Sequence, residues 1–360
     1  MKVLVWVPYP HDVAPGQRFR IEQWMPLLEQ QGFQFTLSPF LTPEINAVLY
    51  QPGKTWEKVR LLTSALARRL REARHLQGFD AMFMSREASI LGPALAERLL
   101  PHDTVPLVYD FDDAIFHRYV SPSNRYLSYL KFPSKTSTIC RLAREVVVGN
   151  DYLRQYALQF NSHVTIIPTT IDPDLYRPSS RLKPAGDKLI IGWTGSYSTI
   201  QYLSIIAPVL RRLRQRFDFR FRVIGVPKFE MDGVDVEALP WRSATEVDDL
   251  QPIDIGIMPL PEERWAKGKC ALKALQFMAL EIPTVISPVG VNRDVIHDGE
   301  NGFLATADDD WVEKLSRLMG DAELRRRLGR AGRATVDASY SARVQAPRLA
   351  EVFKRACQKQ

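Results

Sequence analysis

Short runs rich in Val, Ile and Phe alternate along the chain with longer stretches in which apolar residues recur every three or four positions. That is the pattern of strands buried on both faces, each followed by an amphipathic helix. Residues 2–7 predict such a strand, broken by Pro8-Tyr9-Pro10, and a helix follows over 19–31, ended by Gly32. Further strands are predicted at 33–37, 81–85, 106–109, 146–149 and 164–168, with helices at 56–76 and 90–100. Residues 182–188 are polar, contain Pro184 and Gly186, and read as a linker. The alternation then restarts. Strands are predicted at 189–193, 221–225, 236–239, 254–259, 283–287 and 302–305, and helices at 200–217, 272–280, 309–319, 322–339 and 343–358. The β-then-α order predicts an α/β protein with two doubly wound parallel-sheet domains of similar size, 1–180 and 181–342.

Length and composition agree with this. The 360 residues are enough for two domains, and 45% hydrophobic with 25% charged residues is ordinary globular usage. No apolar run approaches the ~18 residues of a membrane span. The five apolar residues before Pro8 are too few for a signal-peptide core, so a cytoplasmic location is expected. The three cysteines, Cys140, Cys270 and Cys357, form no CxxC pair, and no HExxH or HxH occurs among the six histidines. Neither a disulfide framework nor a structural or catalytic transition metal is expected.

The net charge of +7 is modest but clustered. Lys54, Lys58, Arg60, Arg68, Arg69, Arg71 and Arg74 lie close together, opposed by Glu57 and Glu72, and Arg211, Arg212, Arg214, Arg216, Arg220 and Arg222 form a second group. Such patches attract nucleic acid, anionic lipid or phosphorylated ligands, or are simply solvated faces. No nucleic-acid-binding module is recognisable, so nucleic acid is not an expected partner. The amphipathic helix within 54–74 suits an anionic membrane surface, with the protein peripheral on the inner face of the membrane.

Ligands of open α/β sheets bind beyond the carboxyl ends of strands, where loop amides and helix N-termini favour anions. Five segments sit there. After the strand at 189–193 comes Thr194-Gly195-Ser196-Tyr197-Ser198-Thr199; Gly195 allows close backbone approach and Ser196 can bond a phosphate, or Ser196 is an ordinary N-cap. Lys269 and Lys273, four residues apart, share one face at the start of the helix 272–280, with Gln276 one turn further on. The macrodipole disfavours cations there, so a bound diphosphate would stabilise them. The small residues of 287–292, including Gly290, suit backbone amides facing a ligand. In the loop after the first strand, Gly16 permits close approach, and Arg18 and Arg20 can contact phosphate or acceptor. Finally, Asp110, Asp112 and Asp113 follow the strand at 106–109 and can orient a hydroxyl, act as a base or bind a divalent metal, and one can equally cap a helix. Ala114 stands where a DxDx(T/V) phosphatase needs Thr or Val, which argues against that chemistry.

Together these residues resemble the nucleotide-sugar-dependent glycosyltransferases of family 4. The likeness lies in Ile191-Gly192-Trp193-Thr194-Gly195-Ser196; in Asp254-Ile255-Gly256-Ile257-Met258-Pro259-Leu260 followed by Gly268-Lys269 and Leu275-Gln276-Phe277-Met278-Ala279-Leu280; and in Pro283-Thr284-Val285-Ile286-Ser287 and Gly299-Glu300-Asn301-Gly302-Phe303-Leu304. The motifs are collinear over about residues 189–340, and the N-terminal half is looser. The resemblance implies the GT-B fold, two Rossmann-like domains facing across a cleft, with the last helix packing back on the first domain. It also implies a nucleoside-diphosphate sugar as donor, a glycan or lipid-linked acceptor, retention of anomeric configuration, no obligatory metal or other cofactor, and a role in bacterial surface polysaccharide synthesis. Lys269, Lys273 and the amides near Gly195, Gly16 and Gly290 would hold the diphosphate, Gln276 the ribose, Asp110 or Asp112 the donor sugar or acceptor hydroxyl, and Arg18 phosphate or acceptor.

This chain departs from the family's pattern. Many members carry two glutamates separated by seven residues, where Gly268 and Gln276 stand here, and Thr194–Thr199 lacks the usual arginine. A nucleotide-sugar epimerase or hydrolase on the same scaffold, or a non-catalytic nucleotide-sugar binder, is therefore the alternative. A nicotinamide-dependent oxidoreductase is least expected, because neither domain's first strand leads into GxGxxG.

Overall fold

The computed structural model describes residues 1–49, 51, 53–90, 92–117, 132–178 and 188–358. The chain forms two units, one of Met1–Thr169 with Gln345–Gln360 and the other of Thr170–Val344. The division falls at 169/170 rather than at 180, and the chain returns to the first unit within the final helix, Ala342–Cys357. The linker expected at 182–188 lies, except for Lys188, outside the described residues.

The first unit holds six parallel strands: β1 (Lys2–Val7), β2 (Gln34–Pro39), β3 (Ala81–Ser85), β4 (Leu107–Phe111), β5 (Glu145–Val148) and β6 (Val164–Ile166). Their order is β2-β1-β3-β4-β5-β6, with Val3 level with Phe35 on one side and Ala81 on the other. β3, β4 and β5 are buried at every position, as strands covered on both faces must be. The second unit repeats the plan with β7 (Leu189–Thr194), β8 (Phe219–Ile224), β9 (Val236–Leu239), β10 (Ile255–Met258), β11 (Thr284–Ile286) and β12 (Phe303–Leu304), all parallel, in the order β12-β11-β10-β7-β8-β9. Its core joins Trp193, Phe219 and Phe221 to Leu210 of the helix Leu203–Arg214 and to Trp311 and Leu315 of the helix Asp308–Gly320. Each sheet reverses its winding once, between β1 and β3 and between β7 and β10. The crevice beyond the carboxyl ends at such a reversal is where open α/β sheets bind ligands.

Helix boundaries depart from the sequence pattern at prolines. The helix expected at 19–31 is a turn at Pro15–Gln17, a π-helical turn at Arg18–Glu22 and a short helix at Met25–Glu29, with Pro26 unable to donate its missing N–H to a continuous ladder. The helix expected at 90–100 shrinks to Leu95–Arg98, because Gly92 is left-handed and Pro93 restricts the residue before it. Helices at Ser134–Leu142 and Asp151–Ala157 were not predicted; Asn150 caps the second through Leu153 N–H at 2.9 Å.

Candidate functional site

The first unit spends its charges on itself. Arg20 is fully buried beside the Trp24 ring and donates through Nε to Asp110 Oδ2 at 3.3 Å, through its terminal nitrogens to Asp110 Oδ1 and to the Ile167 carbonyl. Burial pushes the Asp110 carboxyl above its ordinary value, against the pull of Arg20. Asp110 was expected to face a sugar or an acceptor hydroxyl. That expectation is corrected: the carboxylate has no exposed surface, and both its oxygens hold Arg20. Arg20 likewise cannot reach a phosphate.

Asp112 is half-buried and accepts from Arg86 Nε at 3.1 Å and Nη2 at 3.0 Å, while the same Nη2 lies 2.5 Å from Asp113. Arg86 follows β3 in a left-handed conformation, φ +65°, unusual for a residue with a side chain. Burial works against its charge, yet Asp112 and Asp113 raise its pKa above the ordinary value. A Cβ on Gly16 would come within 3.3 Å of both Arg86 and Asp112, so Gly16, Asp112 and Arg86 converge at the winding reversal of this sheet. Arg18 turns instead to Asp12, Nε to Oδ1 2.7 Å, and covers the Phe19 ring. Among the described residues no group of three His, Cys, Asp or Glu is arranged to hold a metal ion. Arg86 escaped the sequence reading, although its place directly after a buried strand was a usable signal.

In the second unit the chain runs from β7 into Gly195, which a side chain could not replace: its Cβ would lie 2.2 Å from the Trp193 ring and 2.8 Å from Lys273 Nζ. Ser196 is exposed. Its N–H donates to Thr199 Oγ1 at 3.1 Å, and its hydroxyl pairs with that of Ser198 at 2.8 Å. The loop enters a 3-10 turn, Ile200–Tyr202, before the helix Leu203–Arg214, and neither has a side-chain cap.

The helix Leu272–Ala279 starts from Ala271, which is left-handed at φ +56° and has no side chain able to cap the first amides. Lys273 stands on that first turn. It is half-buried, donates from Nζ to Thr199 Oγ1 at 3.3 Å and lies 4.3 Å from the Trp193 ring centroid. Among the described residues it makes no ion pair. Burial and the nearby charge of Lys269 lower its pKa from 10.5 to about 7. Lys269 Nζ sits 5.1 Å from the Trp265 ring centroid. Gly290, at φ +55°, packs its loop so closely on the backbone that a Cβ would be 2.7 Å from the Lys267 carbonyl. The structure thus gathers Gly195, Thr199, Lys269 and Lys273 at the reversal between β7 and β10, with the Gly290 loop against the segment that carries Lys269.

Gln276 does not join them. It is 3% exposed, and its amide nitrogen donates to Tyr176 Oη at 3.0 Å and Glu246 Oε1 at 2.8 Å. Tyr176 in turn donates to Glu246 Oε2 at 2.8 Å, and Trp241 Nε1 to Oε1 at 2.8 Å. The expected ribose contact is corrected: the amide donors are consumed inside the unit. Tyr176, Trp241 and Glu246 are 30 to 100 residues from Gln276 in the chain, and no local pattern announced them.

The basic clusters also resolve. On the helix Thr55–Glu72, Arg69 is buried against Trp6 and bonded to Ser38, Ala88 and Glu72, and Arg68 donates to the Pro39 and Phe40 carbonyls at 2.7 Å. Burial lowers the Arg69 pKa to about 10. Lys54, Arg60, Arg71 and Arg74 remain on the surface with Trp56 and Val59. In the second cluster Arg212, Arg214, Arg220 and Arg222 each pair with a carboxylate. No helix among the described residues is long and apolar enough to cross a membrane.

Comparison with known proteins places this geometry. Residues 188–321 match the family model described as glycosyl transferases group 1. No curated protein matches the sequence. Among solved structures, a glycosyltransferase from Rickettsia africae is similar at TM-score 0.69 and 13% identity, covering 100% of this chain and 99% of that one. The Anabaena protein HepE in complex with UDP-glucose is similar at TM-score 0.68 and 14% identity, covering 98% and 99%. The catalytic domain of starch synthase IV from Arabidopsis thaliana, bound to ADP and acarbose, reaches TM-score 0.69 at 12% identity, covering 99% of each. The chain therefore has the GT-B fold, two units each built on a parallel six-stranded sheet, and its residues 188–321 match the glycosyl transferases group 1 family model.

Proposed function

We propose that the protein is a retaining glycosyltransferase that moves a hexose-type sugar from a nucleoside diphosphate to a glycan or lipid-linked acceptor, in the synthesis of bacterial surface polysaccharide. One observation carries the reading: within the matched segment, Lys269 and Lys273 meet at the uncapped start of a helix beyond the carboxyl ends of a parallel sheet, where an anion completes the arrangement. The bound nucleotides of the similar structures, UDP-glucose and ADP, fit the same class of ligand.

In this mechanism Lys269, Lys273 and the amides around Gly290 bind the diphosphate, with Gly195 leaving space for it while its own N–H is bonded to the Ile224 carbonyl. They stabilise the charge that grows on it as the bond to the sugar breaks, commonly the largest catalytic term. The acceptor oxygen forms its bond to the anomeric carbon on the face from which the phosphate oxygen departs. That phosphate oxygen takes the acceptor's proton. Of Asp110 and Asp112, Asp112, held by Arg86, is the one left partly exposed to orient a hydroxyl, and Gly16 leaves room beside it. No metal is required, since the lysines supply the positive charge. The exposed Trp56, Val59, Arg60 and Arg71 would rest on an anionic lipid surface, placing the enzyme peripherally on the inner membrane face.

The test is calorimetry with UDP, ADP and GDP, followed by a product assay with the corresponding sugars. Replacing Lys269 and Lys273 together by Ala weakens nucleoside diphosphate binding by roughly 100-fold, about two charge-assisted contacts; unchanged affinity refutes the assignment. The burial of Gln276 and the lack of a side chain at Gly268 favour one second reading, a binder without turnover. Tight binding with no product across an acceptor panel would establish it.

A further inference from the structure

Among the described residues Lys273 has no carboxylate partner. The element before it contributes Lys269, a second cation. The β7 side contributes Trp193, Gly195 and Thr199, none of them charged. Thr199 Oγ1 already accepts the Ser196 N–H and donates to the Ser196 carbonyl at 3.2 Å, so it solvates the ammonium only in part. The helix start behind it adds partial positive charge. Burial, Lys269 and the helix start disfavour the protonated amine, the Thr199 hydroxyl and the Trp193 face offset them only in part, and a pKa near 7 reflects that balance.

A diphosphate at this point reverses the balance. Its oxygens would lie within hydrogen-bond reach of Nζ, and an opposite charge at that distance favours the protonated form. Resting on the donor-site reading above, we propose that Lys273 takes up one proton from solution as the diphosphate of the donor binds, so that filling the site is coupled to pH. The proton comes from water or buffer and goes to Nζ, and no bond is made or broken. Above neutrality each binding event must first charge the amine. Affinity therefore falls as pH rises, by roughly eightfold between pH 7.5 and 8.5 when the bound amine stays charged throughout.

Calorimetry of the full chain tests this at pH 8.0, where free nucleoside diphosphates are fully ionised and contribute no proton of their own. UDP, ADP and GDP are titrated in phosphate-free buffers of low and high ionisation enthalpy. The dependence of the binding heat on the buffer counts the protons. About 0.9 proton should be taken up per nucleotide bound. In Lys273→Arg, which is always charged, the nucleotide binding that remains, weaker or not, should proceed with uptake near zero. The affinity of the unaltered protein measured across pH 7.5–8.5 needs no variant and should show the eightfold fall. Binding with no proton uptake, or uptake that persists in Lys273→Arg, overturns the inference and leaves the donor-site reading standing. Failure of all three nucleotides to bind overturns both.

Discussion

The two sheets share a plan and differ in what they do with charge at their carboxyl ends. In the first unit the acids and arginines answer one another: Arg20 holds Asp110, and Arg86 holds Asp112 and Asp113. In the second unit Lys273 has Thr199 and an indole face but, among the described residues, no carboxylate. The contrast separates two meanings of a charged residue after a buried strand. Where the partner is internal and no surface is left exposed, as for Asp110 with Arg20, the group is part of the fold. Where burial is only half complete and no partner is present, the structure carries an electrostatic debt that a ligand can settle. A bidentate pair with no exposed surface can contribute to turnover only by holding the backbone in place.

The largest effect should come from breaking the internal side. Asp110→Ala leaves the Arg20 guanidinium buried without its carboxylate, which costs about 3–5 kcal/mol of stability. Denaturant unfolding followed by tryptophan fluorescence reads this directly, since Trp24 lies against Arg20. A variant that unfolds like the parent but has lost turnover would mean that Asp110 touches the reacting groups, and the contrast between the units would fail.

A smaller effect sharpens the contrast inside the second unit, where Gln276 and Lys273 lie one turn apart on one helix. Gln276→Leu removes two donors from a buried cluster and leaves Glu246 short of a partner, at a cost of about 1–3 kcal/mol. Its affinity for nucleoside diphosphate should stay within twofold of the parent, because the amide faces inward. A tenfold loss of affinity with unchanged stability would return Gln276 to the ribose.

These assignments mark how far the sequence could be read. Buried strands were visible as runs of Val, Ile and Phe, and the restart of the pattern near residue 189 revealed the second unit, because strand burial is a local property of composition. Lys269 and Lys273 do come close, but not through the shared helix face that their spacing suggested: Lys269 precedes the helix Leu272–Ala279, and left-handed Ala271 lies between them. What failed were statements about partners. Nothing near Asp110 announces Arg20, 90 residues away, and nothing near Gln276 announces Glu246 or Tyr176. Arg68 and Arg69 looked like surface charge because they sit in a basic run, yet they face the core beside Trp6 and the Pro39 carbonyl. Whether a polar side chain is free or committed depends on contacts between distant segments, and no periodicity encodes those.

The smallest effect tests the debt itself. Lys273→Met is unbranched like lysine and ends one atom short of Nζ, retains a favourable contact with the Trp193 ring and removes the charge. In the parent, the amine has a pKa of about 7 when folded against 10.5 when unfolded. Between those values the unfolded chain binds more protons, so stability rises with pH across that window, and below about pH 7 the folded state bears the full cost of a charged amine. The variant is free of this cost. Partial exposure and the loss of the Thr199 hydrogen bond offset most of that gain, so the variant's thermal midpoint should exceed the parent's by roughly 3 °C at pH 6, corresponding to about 1 kcal/mol, and the gain should shrink steadily towards pH 10. Saturating nucleoside diphosphate should reverse the order, stabilising the parent more than the variant, since only the parent has an ammonium for the phosphates. A variant less stable than the parent at pH 6 without nucleotide would show that the folded protein already compensates Lys273, and that its charge belongs with the matched pairs of the first unit.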